Sequence, residues 1–146
     1  MFPTPLNGLA SKMPNVFISY RREDSADSAG RIKDRLARHF GEAHVFFDVD
    51  AILPGEDFVN TLQRRLSTCD AFVAVIGKGW LTATDSDGKR RLENEGDYVR
   101  VEIAAALSRG IPMVPVLVGN AATPRAVDLP ALLQPLARKK CSRYSL

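Results

Sequence analysis

The sequence predicts an α/β fold: a doubly wound parallel sheet of four to five strands flanked by helices. Three observations predict it. Four apolar runs of strand length are continuous rather than alternating, which is the pattern of strands covered on both faces. Segments with helical apolar spacing lie between them, and strict alternation of strand and helix favours parallel pairing through right-handed crossovers. The 146 residues carry a single apolar pattern, so one domain accounts for the chain.

The strands are expected at Val16-Phe17-Ile18, Val45-Phe46-Phe47, Ala71 to Ile76 and Met113 to Val118. The first helix is expected over Ser28 to Phe40, with Ile32, Leu36 and Phe40 on one stripe. The second spans Asp57 to Leu66 and aligns Phe58, Leu62 and Leu66. The third spans Asp97 to Arg109 and stops at Gly110, with Pro112 behind it. A short helix is expected over Leu129 to Leu136. Residues 1–14 are rich in Pro, Gly and Ser, without periodicity, and read as a leader or linker. The domain proper runs over 15–140, and 141–146 reads as a tail or a shortened last helix. Thr82 to Gly96 is polar, carries a turn signal at Asp85-Ser86-Asp87-Gly88, and reads as a mobile loop.

Composition bounds the function. Apolar content of 45% and charged content of 25% describe an ordinary globule able to bury a core. The net charge of +3 owes much to Arg138-Lys139-Lys140-Cys141-Ser142-Arg143, which reads as a solvated tail rather than a nucleic-acid or membrane patch. There is no apolar run long enough to span a bilayer and no signal-peptide pattern at Met1-Phe2-Pro3-Thr4-Pro5. Cys69 and Cys141 match no metal or redox spacing. Cys69 reads as a core thiol, and a cytoplasmic, reducing setting fits. No metal site is expected.

In open parallel sheets ligands gather at the carboxyl ends of strands. The loops there are Ser19 to Asp24, Asp48 to Glu56, Gly77 to Gly96 and Gly119 to Pro124, and the first three carry charged or aromatic groups. The third leads into Asp97-Tyr98-Val99-Arg100-Val101-Glu102, the most informative stretch of the chain. Glu102 sits about one turn into a helix otherwise built for burial, where a carboxylate must be solvated, paired or functional. Tyr98, four residues earlier, shares its helix face. An aromatic plate beside a carboxylate suits a flat cationic heterocycle attached to a sugar. The bland alternative is a carboxylate that merely favours the helix dipole.

Four segments in order and at matching spacing resemble the Toll/interleukin-receptor (TIR) family, in its bacterial form, whose fold is the flavodoxin-like sheet. Val16-Phe17-Ile18-Ser19-Tyr20-Arg21-Arg22-Glu23-Asp24 resembles the first box. Phe47-Asp48-Val49-Asp50 with Leu53-Pro54-Gly55 resembles the second box and its loop. Cys69-Asp70 into Ala71 to Gly77 resembles the start of the third strand, and Asp97 to Ile103 resembles the helix bearing the catalytic glutamate of the NAD-cleaving TIR enzymes. The match spans residues 14 to 138. Two departures stand out: the aromatic four before the glutamate is often Trp and here is Tyr98, and a full last helix is missing after Leu136.

The resemblance implies cleavage of the nicotinamide–ribose bond of NAD+, with NAD+ as substrate and no cofactor, Glu102 as the catalytic group and Tyr98 beside the substrate. Arg21 and Arg22, with Tyr20, either hold the pyrophosphate or order the site through acidic partners; a surface pair bridged to Glu23 and Asp24 is the plain alternative. Trp80 either stacks on a base or anchors its loop. Asp48 is placed near the substrate or, more simply, shapes its loop. Asp50, Leu53, Pro54 and Gly55 fit an assembly loop, because many TIR enzymes gain activity when this loop of one copy completes the site of another. Self-association up to a filament, a further domain or partner protein outside this chain, and a role in bacterial anti-phage signalling follow from the same resemblance. A non-enzymatic TIR scaffold shares the fold. A response-regulator receiver does not fit, since Ile76-Gly77-Lys78 brings no phospho-acceptor and Val118-Gly119-Asn120 no lysine. A deoxyribosyltransferase-like enzyme is disfavoured by the two boxes. Ser19 lacks a nucleophile elbow and a histidine partner, and His39 and His44 lie in no acid or nucleophile pattern.

Overall fold

The computed structural model describes residues 13–47 and 57–144. Strand β1 (Val16–Ser19) leads through helix α1 (Arg22–Phe40) to β2 (Val45–Phe46). Helix α2 (Phe58–Ser67), strand β3 (Ala71–Ile76), helix α3 (Tyr98–Ser108), strand β4 (Met113–Val118) and strand β5 (Ser142–Tyr144) follow. The strands form one parallel sheet in the order β2-β1-β3-β4-β5, so β1, β3 and β4 lie inside it. This is the flavodoxin-like α/β arrangement expected, with five strands.

Alternate residues of each strand feed two cores. Phe17, Phe72, Ala74, Ile76, Met113 and Leu117 face α2, α3 and the 3-10 segment Ala131–Arg138, with Phe17 stacked on Phe72 at 5.2 Å. Val16, Ile18, Val45, Val75 and Val118 face α1 through Ala29 and Ile32. Burial on both faces explains why these strands are apolar without alternation.

The helix ends follow local chemistry. Asp57 caps α2 by accepting from the N–H groups of Val59 and Asn60, and Asp97 caps α3 by accepting from that of Arg100. Gly110 adopts a left-handed φ of 70°, which lets Ile111 N–H return to the Ala106 carbonyl and close α3. Cys69, expected as a core thiol, is half-buried at the margin of the core, where burial pushes its thiol above the ordinary range.

Four elements differ from expectation. Helix α1 begins at Arg22, six residues early, with a kink at Ser25. Its first turn carries Glu23 and Asp24, which suit the helix dipole but show no apolar stripe to read. Residues 142–144, expected in a tail or shortened helix, form the edge strand β5, with Ser142 opposite Val116. A three-residue strand with two exposed residues has no apolar run to announce it. The helix expected over 129–136 is 3-10 in geometry, starts after Pro130 and contains Pro135. The 82–96 segment is shaped by its own bonds. Asp85 accepts from the N–H groups of Asp87 and Lys89, the predicted turn closes at Gly88 with φ 77°, and Thr84 bridges Arg90.

Among the described residues no helix is long and apolar enough to cross a membrane, and no three His, Cys, Asp or Glu side chains gather as a metal site would require.

Candidate functional site

The end of β1, the loop after β3 and the start of α3 converge at the carboxyl edge of the sheet. Helix α3 is buried along Val99, Glu102, Ile103 and Ala106, and Glu102 is only 1% exposed. Its Oε1 accepts a 2.7 Å hydrogen bond from Ser19 Oγ, the last residue of β1 and itself 2% exposed. A buried carboxyl group that is hydrogen-bonded rather than bare is what the cost of burial leads one to expect. Tyr98 shares the helix face but sits at its emerging end, 51% exposed. Its ring stacks on Phe58 of α2, centroids 4.4 Å apart, so the first residues of two helices meet ring to ring.

Arg21 is 1% exposed, and its Nη1 and Nη2 each donate to Asp97 at 2.9 Å, one to each carboxylate oxygen. Of the alternatives open for Arg21, the structure realises the ordering of the site through an acidic partner, with both fork nitrogens donating to Asp97. Arg91 supports the same acid, with Nε 3.6 Å from Asp97, and also pairs with Glu23 at 2.7 Å. Arg22 is exposed at the start of α1. Tyr20 is half-buried and stacks on Phe47 at 4.9 Å.

Trp80 is 1% exposed and packs in the same core cluster as Leu92 and Val99. Of the two readings of Trp80, the packing realises the loop anchor: its ring supports the loop after β3 from beneath. Trp80→Ala is expected to cost about 3–5 kcal/mol in stability, measured by denaturant unfolding; a loss below about 1 kcal/mol would show that the loop does not depend on the anchor.

Asp24 ties that loop to the first turn of α1. Its Oδ1 accepts from the Gly79 N–H at 2.7 Å, and a Cβ on Gly77 would lie 2.1 Å from its Oδ2, so position 77 has no room for a side chain. Asp48, Asp50, Leu53, Pro54 and Gly55 lie outside the described residues. Beside Tyr98 opens a cavity of about 530 Å3 lined by Thr84, Asp85, Ser86, Arg91, Asn94, Gly96, Asp97 and Tyr98. Tyr98 forms its wall, and Glu102 lies one turn deeper along α3.

Sequence reasoning set Ser19 aside and did not single out Asp97 as a site residue. The available signals were a hydroxyl closing an otherwise apolar strand and an N-cap aspartate just before the glutamate's helix.

The sheet that carries these residues at its carboxyl edge has the order and connections of a known class of α/β domain. A sequence model of the TIR domain fits residues 16–142, and the chain belongs to the TIR domain family. Solved structures agree in fold. The TIR domains of the activated Roq1 resistosome, which directly recognises the pathogen effector XopQ, are 14% identical with a TM-score of 0.61, over 89% of this chain and 87% of that one. A metazoan TIR-STING receptor from C. gigas is 24% identical with a TM-score of 0.53, over 83% of this chain. The same receptor in complex with 2',3'-cGAMP is 20% identical with a TM-score of 0.51. The chain spans about a third of the receptor's length, 35% and 34% in the two structures.

Proposed function

We propose that this TIR domain is an NAD+ glycohydrolase or ADP-ribosyl cyclase, cleaving the nicotinamide–ribose bond, with Glu102 as the catalytic group. The observation that carries the reading is the placement of Glu102: a carboxylate enclosed at the start of α3, bonded to Ser19, one turn below an exposed aromatic ring. The family includes NAD-cleaving enzymes.

The chemistry needs one carboxylate. Ordinary glycosidases use two, because an oxygen leaving group must be protonated. Nicotinamide leaves the pyridinium as a neutral molecule, taking the C–N bonding pair with it. The ribose is left oxocarbenium-like, and a fixed negative charge in a low-dielectric pocket stabilises it. Water then adds at the anomeric carbon and releases a proton, giving ADP-ribose; in the cyclising form an atom of the ADP-ribose itself takes the place of water. Tyr98 offers a face to the heterocycle, and the adjoining cavity offers room for the remainder of the dinucleotide.

Glu102 at 1% exposure is closed to substrate, so turnover requires a movement that opens the site. Self-association supplies one, and activity at high local concentration suits a module of a cytoplasmic defence-signalling assembly, with a further domain or partner protein providing the trigger. The test is nicotinamide release and second-product identity by chromatography across a series of protein concentrations. Specific activity is expected to rise with concentration; a constant specific activity argues against activation by assembly.

The enclosure of Glu102 also favours a second reading, a non-enzymatic scaffold. Val59 and Tyr98, 52% and 51% exposed around half-buried Phe58, form an apolar patch suited to TIR–TIR contact. NAD+ left intact by the associated protein selects this reading.

A further inference from the structure

We propose that Ser19 is a positioning residue for this reaction: its hydroxyl fixes the Glu102 carboxylate in the orientation presented to the ribose. The inference rests on the NAD-cleaving reading.

Ser19 closes a strand whose four residues are all buried. A hydroxyl in such a run is unfavourable unless it is bonded, and an ionised carboxylate can only accept, so Ser19 donates. The 2.7 Å bond joins positions 83 apart in sequence. Two residues on, Arg21 is still extended, with φ −94° and ψ 115°, and grips Asp97. Two strand residues span about 6.6 Å, and the five helical steps from Asp97 to Glu102 span about 7.5 Å. The end of β1 therefore meets α3 at two points whose spacings match. Arg21 holds the start of the helix. Ser19 acts on the glutamate side chain itself, fixing one oxygen and removing the freedom of its terminal torsion. That freedom would otherwise be lost at the transition state, so the effect belongs in kcat.

The experiment uses Ser19→Ala and Ser19→Thr in the full chain, with two readouts. In steady-state NAD+ cleavage, Ser19→Ala should lower kcat about tenfold while KM stays within about twofold, and Ser19→Thr should restore kcat by restoring the hydroxyl. In folded protein labelled with 13C at the glutamate carboxyls, the Glu102 resonance, assigned by its loss in Glu102→Gln, should move in Ser19→Ala and return towards wild type in Ser19→Thr. Should the threonine methyl prevent folding, the alanine variant decides alone. An unmoved resonance overturns the proposal even if kcat falls, because the loss is then merely structural; a moved resonance with unchanged kcat overturns it as well. If wild type cleaves no NAD+ at any concentration, the enzymatic reading fails and the proposed role falls with it, while the resonance still reports separately whether Ser19 holds the carboxylate.

Discussion

Glu102→Gln is expected to reduce nicotinamide release by about 100- to 1,000-fold, the scale of losing one preorganised electrostatic group. Glutamine keeps the shape of the side chain and an oxygen that can accept from Ser19, and removes only the charge. The fold should tolerate the change, and the melting temperature should hold or rise, because a buried charge is replaced by a neutral group. Loss of activity in a protein that melts like wild type assigns the effect to chemistry. Glu102→Gln retaining more than about a tenth of wild-type kcat would remove the carboxylate from the mechanism. The comparison belongs at the highest protein concentration attainable.

The second large effect is on stability. Arg21→Met leaves Asp97 buried without its bidentate partner, and breaking a buried pair from one side costs about 3–5 kcal/mol. Arg91, 3.6 Å away, draws the expectation to about 3 kcal/mol, or a melting temperature lower by about 10 °C. Adding Asp97→Asn to Arg21→Met should recover part of that loss. The asparagine still accepts from the Arg100 N–H, and no charge is stranded. Denaturant midpoints with unchanged slopes provide the measurement. A double variant less stable than Arg21→Met would show that the carboxylate is valued for capping α3 more than for its pairing with Arg21.

Where the sequence was legible, the reason was burial. Continuous apolar runs marked β1, β3 and β4, and the Asp97 and Gly110 ends of α3 were readable from cap chemistry. Glu102 stood out because a charge within an apolar helix demands an explanation. The strand β5 and the first turn of α1 were illegible because their residues are held by backbone pairing and polar contacts that leave no periodic trace. Arg21 illustrates a further limit. Sequence placed it at a strand exit with phosphate, carboxylate and solvent all open to it, and only the approach of Asp97 from 76 positions away decides among them. Trp80 was ambiguous for the same reason, since an aromatic at a loop base reads alike whether it points into a cleft or into the core.

The two contacts that shape the site, Ser19 with Glu102 and Arg21 with Asp97, join positions 83 and 76 residues apart. Neither the β1 segment nor the α3 segment alone can present the carboxylate, and the closure of a long intervening loop must come first. Intermediates in which α3 has formed without β1 therefore carry the glutamate but not its geometry. If NAD+ is the substrate, a nascent or partly unfolded copy is chemically silent until folding is complete.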